Sequence, residues 1–147
     1  MRRILINSSL NGFILLDEIK EVRQGSILAV RTFHNDPLYL GIEALAQLGA
    51  YHMRFKNDFA KHAFLLKINL FQVVGDEILD GKYFLEGAIG NQSSTTYSYN
   101  LTARKGSEYQ TKGQFLFAMR EYDEKFTRKK LETRYRRQFL DLCLERL

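Results

Sequence analysis

The chain has 147 residues, with 22 Lys and Arg against 17 Asp and Glu, a net charge of +5 and 45% hydrophobic residues. That length gives one domain with a real core and excludes two. The single cysteine, Cys143, excludes an intramolecular disulfide and a cysteine-rich metal site, and its place beside Leu142 and Leu144 reads as packing.

In chain order, Met1-Arg2-Arg3 leads only into Ile4–Ser9, which is too short and too polar for a signal core, and no apolar run reaches the span of a membrane helix. The expected location is therefore cytoplasmic, with no membrane span. Phe13-Ile14-Leu15-Leu16 is a short apolar run, and Ile19–Val22 and Ser26–Phe33 read as strands flanking a Gln24-Gly25 turn. Asp36 is a good N-cap and Pro37 a good first helical residue, because proline has no N–H to leave unpaired there. A helix of about 28 Å is thus expected from Pro37 to about Phe55.

After a polar loop at Asn57–Lys61, Ala63–Val74 is rich enough in aromatic and β-branched residues for a long strand ended by Gly75-Asp76. Lys82–Ile89 and Thr95–Ala103 alternate around the turn-rich Gly90–Ser94. Arg104–Ser107 is the next turn, and it leads to a strand over Glu108–Met119. These elements predict an α+β domain over residues 1–120, an antiparallel sheet wrapped around one central buried helix. Periodicity leaves other α+β arrangements open.

Residues 121–147 form a second unit. Phe126, Leu131, Tyr135, Phe139, Leu142 and Cys143 recur at helical spacing with Arg128, Lys129, Arg134, Arg136 and Arg137 between them, so a basic amphipathic helix is expected. Its own domain is the first candidate partner, because Glu132, Asp141 and Glu145 dilute the charge. An acidic carrier protein comes next, steered by the net charge. Nucleic acid is last, since no helix-turn-helix, RNP or zinc motif is present and the aromatics follow strand and helix periods. His34, His52 and His62 lack metal-ligand spacing, so neither metal nor cofactor is expected.

The residue that points to chemistry is Glu43. Leu38, Ile42, Leu45, Ala46, Leu48, Gly49, Tyr51, Met53 and Phe55 wrap most of the helix circumference, as in a helix buried on nearly all sides. An ionised Glu buried there without a partner is costly, so it must be paired or face a polar cavity. The alternative is a partly exposed surface glutamate.

Asp36-Pro37 followed by Glu43-Ala44-Leu45-Ala46-Gln47 resembles the central helix of the bacterial 3-hydroxyacyl-[acyl-carrier-protein] dehydratases, which have the hotdog fold. Asn11–Ile19 resembles that family's opening block and Glu21–Val30 its following strand pair, and residues 4–120 carry the likeness in all. The resemblance implies a hotdog domain that binds acyl thioesters on acyl carrier protein or coenzyme A, as a homodimer or higher, in fatty acid biosynthesis. It departs at one place. The family's Gly-His-Phe-Pro loop is absent, its His position falls on Ala29, and the nearest imidazole is His34, about five residues closer to Glu43.

Syn elimination of water from a 3-hydroxyacyl thioester needs a base for the α-proton and an acid for the leaving hydroxyl. By resemblance Glu43 and His34 take those roles, while Pro37, Gln47 and the backbone N–H of Leu38 bind substrate, the last at the positive end of the helix. Two alternatives stand beside dehydration. One is a hotdog thioesterase, whose helix carboxylate activates water without the His. The other is a non-catalytic partner subunit. Phe64–Phe71, with Val73 and Val74, is expected to line the acyl chain, to join two copies, or to be ordinary core.

Overall fold

The computed structural model describes residues 14–75, 77–122 and 125–144. The Met1–Ser9 stretch, Asn11–Phe13, Asp76, Glu145 and the side chains of Phe126 and Leu144 lie outside that description.

The element order is β1 (Glu18–Val22), β2 (Ser26–Pro37), α1 (Leu38–Lys56), β3 (His62–Val73), β4 (Ile78–Gln92), β5 (Thr96–Lys105), β6 (Glu108–Arg120) and α2 (Lys125–Leu144). The six strands form one antiparallel sheet in the order β1-β2-β4-β5-β6-β3. Strand alternation in sequence becomes alternation of faces. On β5, Tyr97, Tyr99, Leu101 and Ala103 turn inward, and on β6 Phe115 and Phe117 meet them.

One face of α1 is sunk in this surface through Leu40, Ala44, Leu45, Leu48 and Met53. Small residues set the depth. A methyl at Gly49 would stand 2.5 Å from the Phe117 ring, so only glycine lets the helix lie this close to β6.

The helix begins one residue later than the sequence predicts, and Asp36 does not cap it. Pro37 occupies the N-cap with extended backbone (φ −71°, ψ 155°) and no side-chain cap bond. The cause is the sheet. Pro37 pairs with Ile78, and the ladder continues as the Leu38 N–H donates to the Glu77 carbonyl at 3.0 Å. Strand β2 therefore runs into α1 with no intervening loop. The Asp36 side chain is buried and accepts from the His34 N–H at 3.0 Å.

Helix α2 lies against the C-terminal half of α1 and against β1. The Phe139 ring meets those of Tyr51, Phe55 and Phe59, and Tyr51 Oη donates to Gln138 Oε1 at 3.0 Å. The Arg54 guanidinium sits 3.9 Å from the Tyr135 ring centre and reaches the Ala63 carbonyl, which ties α1, α2 and β3 together. The expected amphipathic helix thus turns Tyr135, Phe139 and Leu142 to its own domain.

Candidate functional site

The open stripe of α1 is where the fold leaves chemistry exposed. Tyr39, Glu43 and Ala46 recur at four and three residues, so they share a helix face, and that face points away from the sheet. Tyr39 is 66% exposed, and Glu43 is exposed as well. The expectation of a helix buried on nearly all sides holds for the C-terminal half, where Ala50, Tyr51, His52 and Met53 are all buried and α2 covers the side away from the sheet. Over the first two turns no described element covers that side, and Tyr39 and Glu43 stay open.

The edge strand β3 carries the second exposed apolar surface. Phe64, Leu65, Leu66 (51%), Leu70 (80%) and Val73, with Val74 just beyond the strand, are open to solvent, whereas Ala63, Ile68 and Phe71 pack on the core, so the stretch is only in part core in the protomer. Among the described residues β3 is paired on one side only, to β6, which leaves its other backbone edge available to another strand.

His34 lies on β2 beside a bulge between Phe33 and Asp36, exposed, ahead of Asn35 in left-handed backbone (φ 55°). Two carboxylates clamp this bulge, Asp36 on the His34 N–H and Asp80 on the Asn35 N–H at 2.8 Å. Among the described residues no hydrogen bond or ion pair joins His34 to Glu43. The backbone N–H of Leu38 is occupied by the Glu77 carbonyl. Gln47 is half-buried, and its Oε1 accepts from the Leu15 N–H at 2.8 Å, so it fastens the N-terminal segment to the helix. The geometry thus brings Glu43 and Gln47 onto one helix, places Pro37 and Leu38 at its start, and leaves His34 on the strand.

A second imidazole, which sequence spacing did not single out for chemistry, sits on the opposite side of α1. His52 follows Glu43 by nine residues, about half a turn out of phase. It is fully buried, and its Nε2 lies 2.7 Å from the Arg23 carbonyl, which can only accept. Nε2 therefore donates, and Nδ1 accepts from Tyr99 Oη at 2.7 Å. Burial lowers the His52 pKa from its usual value, partly offset by the Arg23 carbonyl, and burial also pushes the Tyr99 phenol up. This neutral imidazole links α1, β5 and the β1–β2 turn. It faces away from Glu43 and cannot serve as its acid–base partner. Its partners lie far off in sequence, which is why no local spacing betrays it.

Among the described residues, no group of three or more His, Cys, Asp and Glu side chains is arranged to hold a metal ion, and no helix is long and apolar enough to cross a membrane.

No family model and no curated protein sequence matches the chain. Solved structures do. A dehydratase heterocomplex from Xenorhabdus doucetiae matches with a TM-score of 0.62 and 13% identity, over 88% of this chain and 98% of that one. A thioesterase from Haemophilus influenzae matches with a TM-score of 0.62 and 13% identity, over 74% and 80%. A hypothetical thioesterase protein from Streptococcus pneumoniae, solved with coenzyme A, matches with a TM-score of 0.58 and 14% identity, over 73% and 88%. The antiparallel sheet, central helix and C-terminal helix are those of a hotdog-fold protein.

Proposed function

We propose that the chain binds and processes an acyl thioester at the open face of α1, with Glu43 at the reacting end, as a homodimer joined along β3. The observation that carries this reading is the exposed Glu43, beside Tyr39, on a helix most of which is buried between the sheet and α2. An apolar edge strand, β3, packs on the same helix. A carboxylate beside apolar surface suits a ligand with a polar reacting end and a hydrocarbon tail. The thioesterase and dehydratase neighbours and the coenzyme A in one of them support the ligand class. A second copy laid along β3 would cover Leu66 and Leu70 and pair the backbone edge opposite β6.

Dehydration follows from the sequence resemblance. Glu43 and His34 would share removal of the α-proton and protonation of the departing hydroxyl, which leaves as water. Hydrolysis is the second reading, and the lack of a His34–Glu43 bond favours it. There Glu43 takes a proton from water, the hydroxide adds to the thioester carbonyl, and the C–S bond breaks to release a thiol and an acid. A partner-subunit role is supported by the Leu38 N–H, which already donates to the Glu77 carbonyl and so is not available to a thioester oxygen.

Incubation with a 3-hydroxyacyl-carrier-protein and, separately, with a saturated acyl-coenzyme A, followed by mass spectrometry, tests the proposal. Loss of one water identifies a dehydratase, loss of the acyl group a thioesterase, and an unchanged but retained ligand a binding subunit. If neither thioester is altered or retained, the acyl-thioester reading falls.

A further inference from the structure

The whole net charge of the protein resides on its C-terminal stretch. Residues 125–147 hold eight of the 22 basic and three of the 17 acidic residues, an excess of five, whereas residues 1–124 balance 14 against 14. Within α2 the basic side chains divide by face. Arg136 turns inward, with Nη1 on Asp58 at 2.9 Å and Nη2 on Glu132 at 3.3 Å. Arg128, Lys129, Lys130 and Arg137 are exposed and make no ion pair with any described residue. Lys129, Thr133, Arg137 and Leu140 recur at four, four and three residues along one outward seam, about 17 Å long. Leu140 is 50% exposed within that seam.

We infer that the outer face of α2 docks an acidic protein surface, and, on the acyl-thioester reading above, that this protein is the carrier of the thioester. Unpaired like charges crowded on one helix raise its electrostatic energy in isolation and lower it against a partner of opposite sign. The kind of anion follows from the rest of the face. A surface that tracks nucleic acid engages many phosphates and commonly adds stacking aromatics. This one offers three cations, Lys129, Lys130 and Arg137, no exposed aromatic among the described residues of α2, and Asp141 at its end. An interfacial membrane helix turns its apolar face to lipid, but here Tyr135, Phe139 and Leu142 are committed to the domain. A short cationic seam with one apolar residue set in it matches a protein contact, where an apolar anchor sits inside a charged rim.

The test compares the full-length protein with two folded variants, the neutralising Lys129→Gln/Arg137→Gln and the reversing Lys129→Glu/Lys130→Glu/Arg137→Glu. Binding of holo acyl carrier protein, of a short mixed-sequence DNA duplex and of phosphatidylserine-containing vesicles is measured for each. The expected result is that carrier protein binds the wild type, that binding weakens when salt rises from about 0.05 M to about 0.5 M, and that the neutral variant loses about tenfold in affinity and the reversed one more. Tighter binding of duplex or vesicles than of carrier protein overturns the inference. So does carrier binding that is absent or equal in all three proteins. The readout is independent of turnover, so a docking surface that holds while no thioester is processed or retained separates the two proposals.

Discussion

The imidazole of His52 and the phenol of Tyr99 lie 2.7 Å apart in the core, and the tyrosine is the donor. The Arg23 carbonyl fixes that direction, because it demands the Nε2 proton. This pair couples stability to pH. The folded state holds His52 neutral, with its pKa lowered by burial, whereas the unfolded chain takes up a proton near pH 6.5. The contribution is fully present above about pH 6.5 and is lost as pH falls from there towards the lower folded value. The melting temperature should be flat from pH 8 to 7 and fall below about 6.5, and His52→Gln should reduce that slope. Tyr99→Phe, which leaves Nδ1 without its donor, should cost about 1–3 kcal/mol at neutral pH.

Glu43 and His34 make opposite demands on the two candidate reactions. Glu43→Gln should abolish turnover of either kind and change stability by no more than about 0.5 kcal/mol, since the side chain is exposed. Retained activity would remove Glu43 from the mechanism. His34→Ala should lower a dehydration rate by about 10² to 10⁴ and leave hydrolysis unchanged.

Two of the contacts that hold α2 to the domain differ in strength. Arg136 bonds both the carboxylate and the carbonyl of Asp58 at 2.9 Å, but its side chain is 38% exposed and that of Asp58 84%. Solvent screening keeps such a pair to at most about 1 kcal/mol, so Arg136→Ala should be mild. Phe139 is buried among three aromatic rings, and Phe139→Ala should cost about 3 kcal/mol or more by chemical denaturation. If the arginine substitution proves the more harmful, charge rather than packing docks the helix.

The exposed edge of β3 predicts self-association. Leu66→Arg should convert a dimer into a monomer in sedimentation velocity without unfolding it, because Leu66 is open to solvent within one protomer. A wild-type protein that sediments as a monomer at all concentrations would remove the dimer from the proposal.

Much of this architecture is legible in the sequence because its signals are local. The Gln24-Gly25 turn, the alternation in Thr95–Ala103 and the helical spacing after residue 121 each emerge at or within a few residues of the expected place. Asp36 misled because a capping residue and a carboxylate that bonds a strand N–H look alike in sequence, and here the ladder reaching Leu38 decided between them. Glu43 misled because apolar residues around a helix do not say what covers each side. Residues such as Tyr39, Ile42 and Ala46 read the same under a sheet, under a second copy or under a ligand. His52 was silent because Arg23 and Tyr99 lie 29 and 47 residues away.

The unbroken passage from β2 into α1 also restricts how such a chain can change. Elsewhere in the fold, residues inserted at a turn such as Gly90–Ser94 only lengthen a hairpin tip. One residue added between Pro37 and Leu38 has no loop to absorb it. It must break the contact with Glu77 or rotate the helix by about 100°, swinging Glu43 off the open face and Gly49 away from Phe117. Descendants of this sequence should therefore vary in length almost anywhere before they vary at that junction.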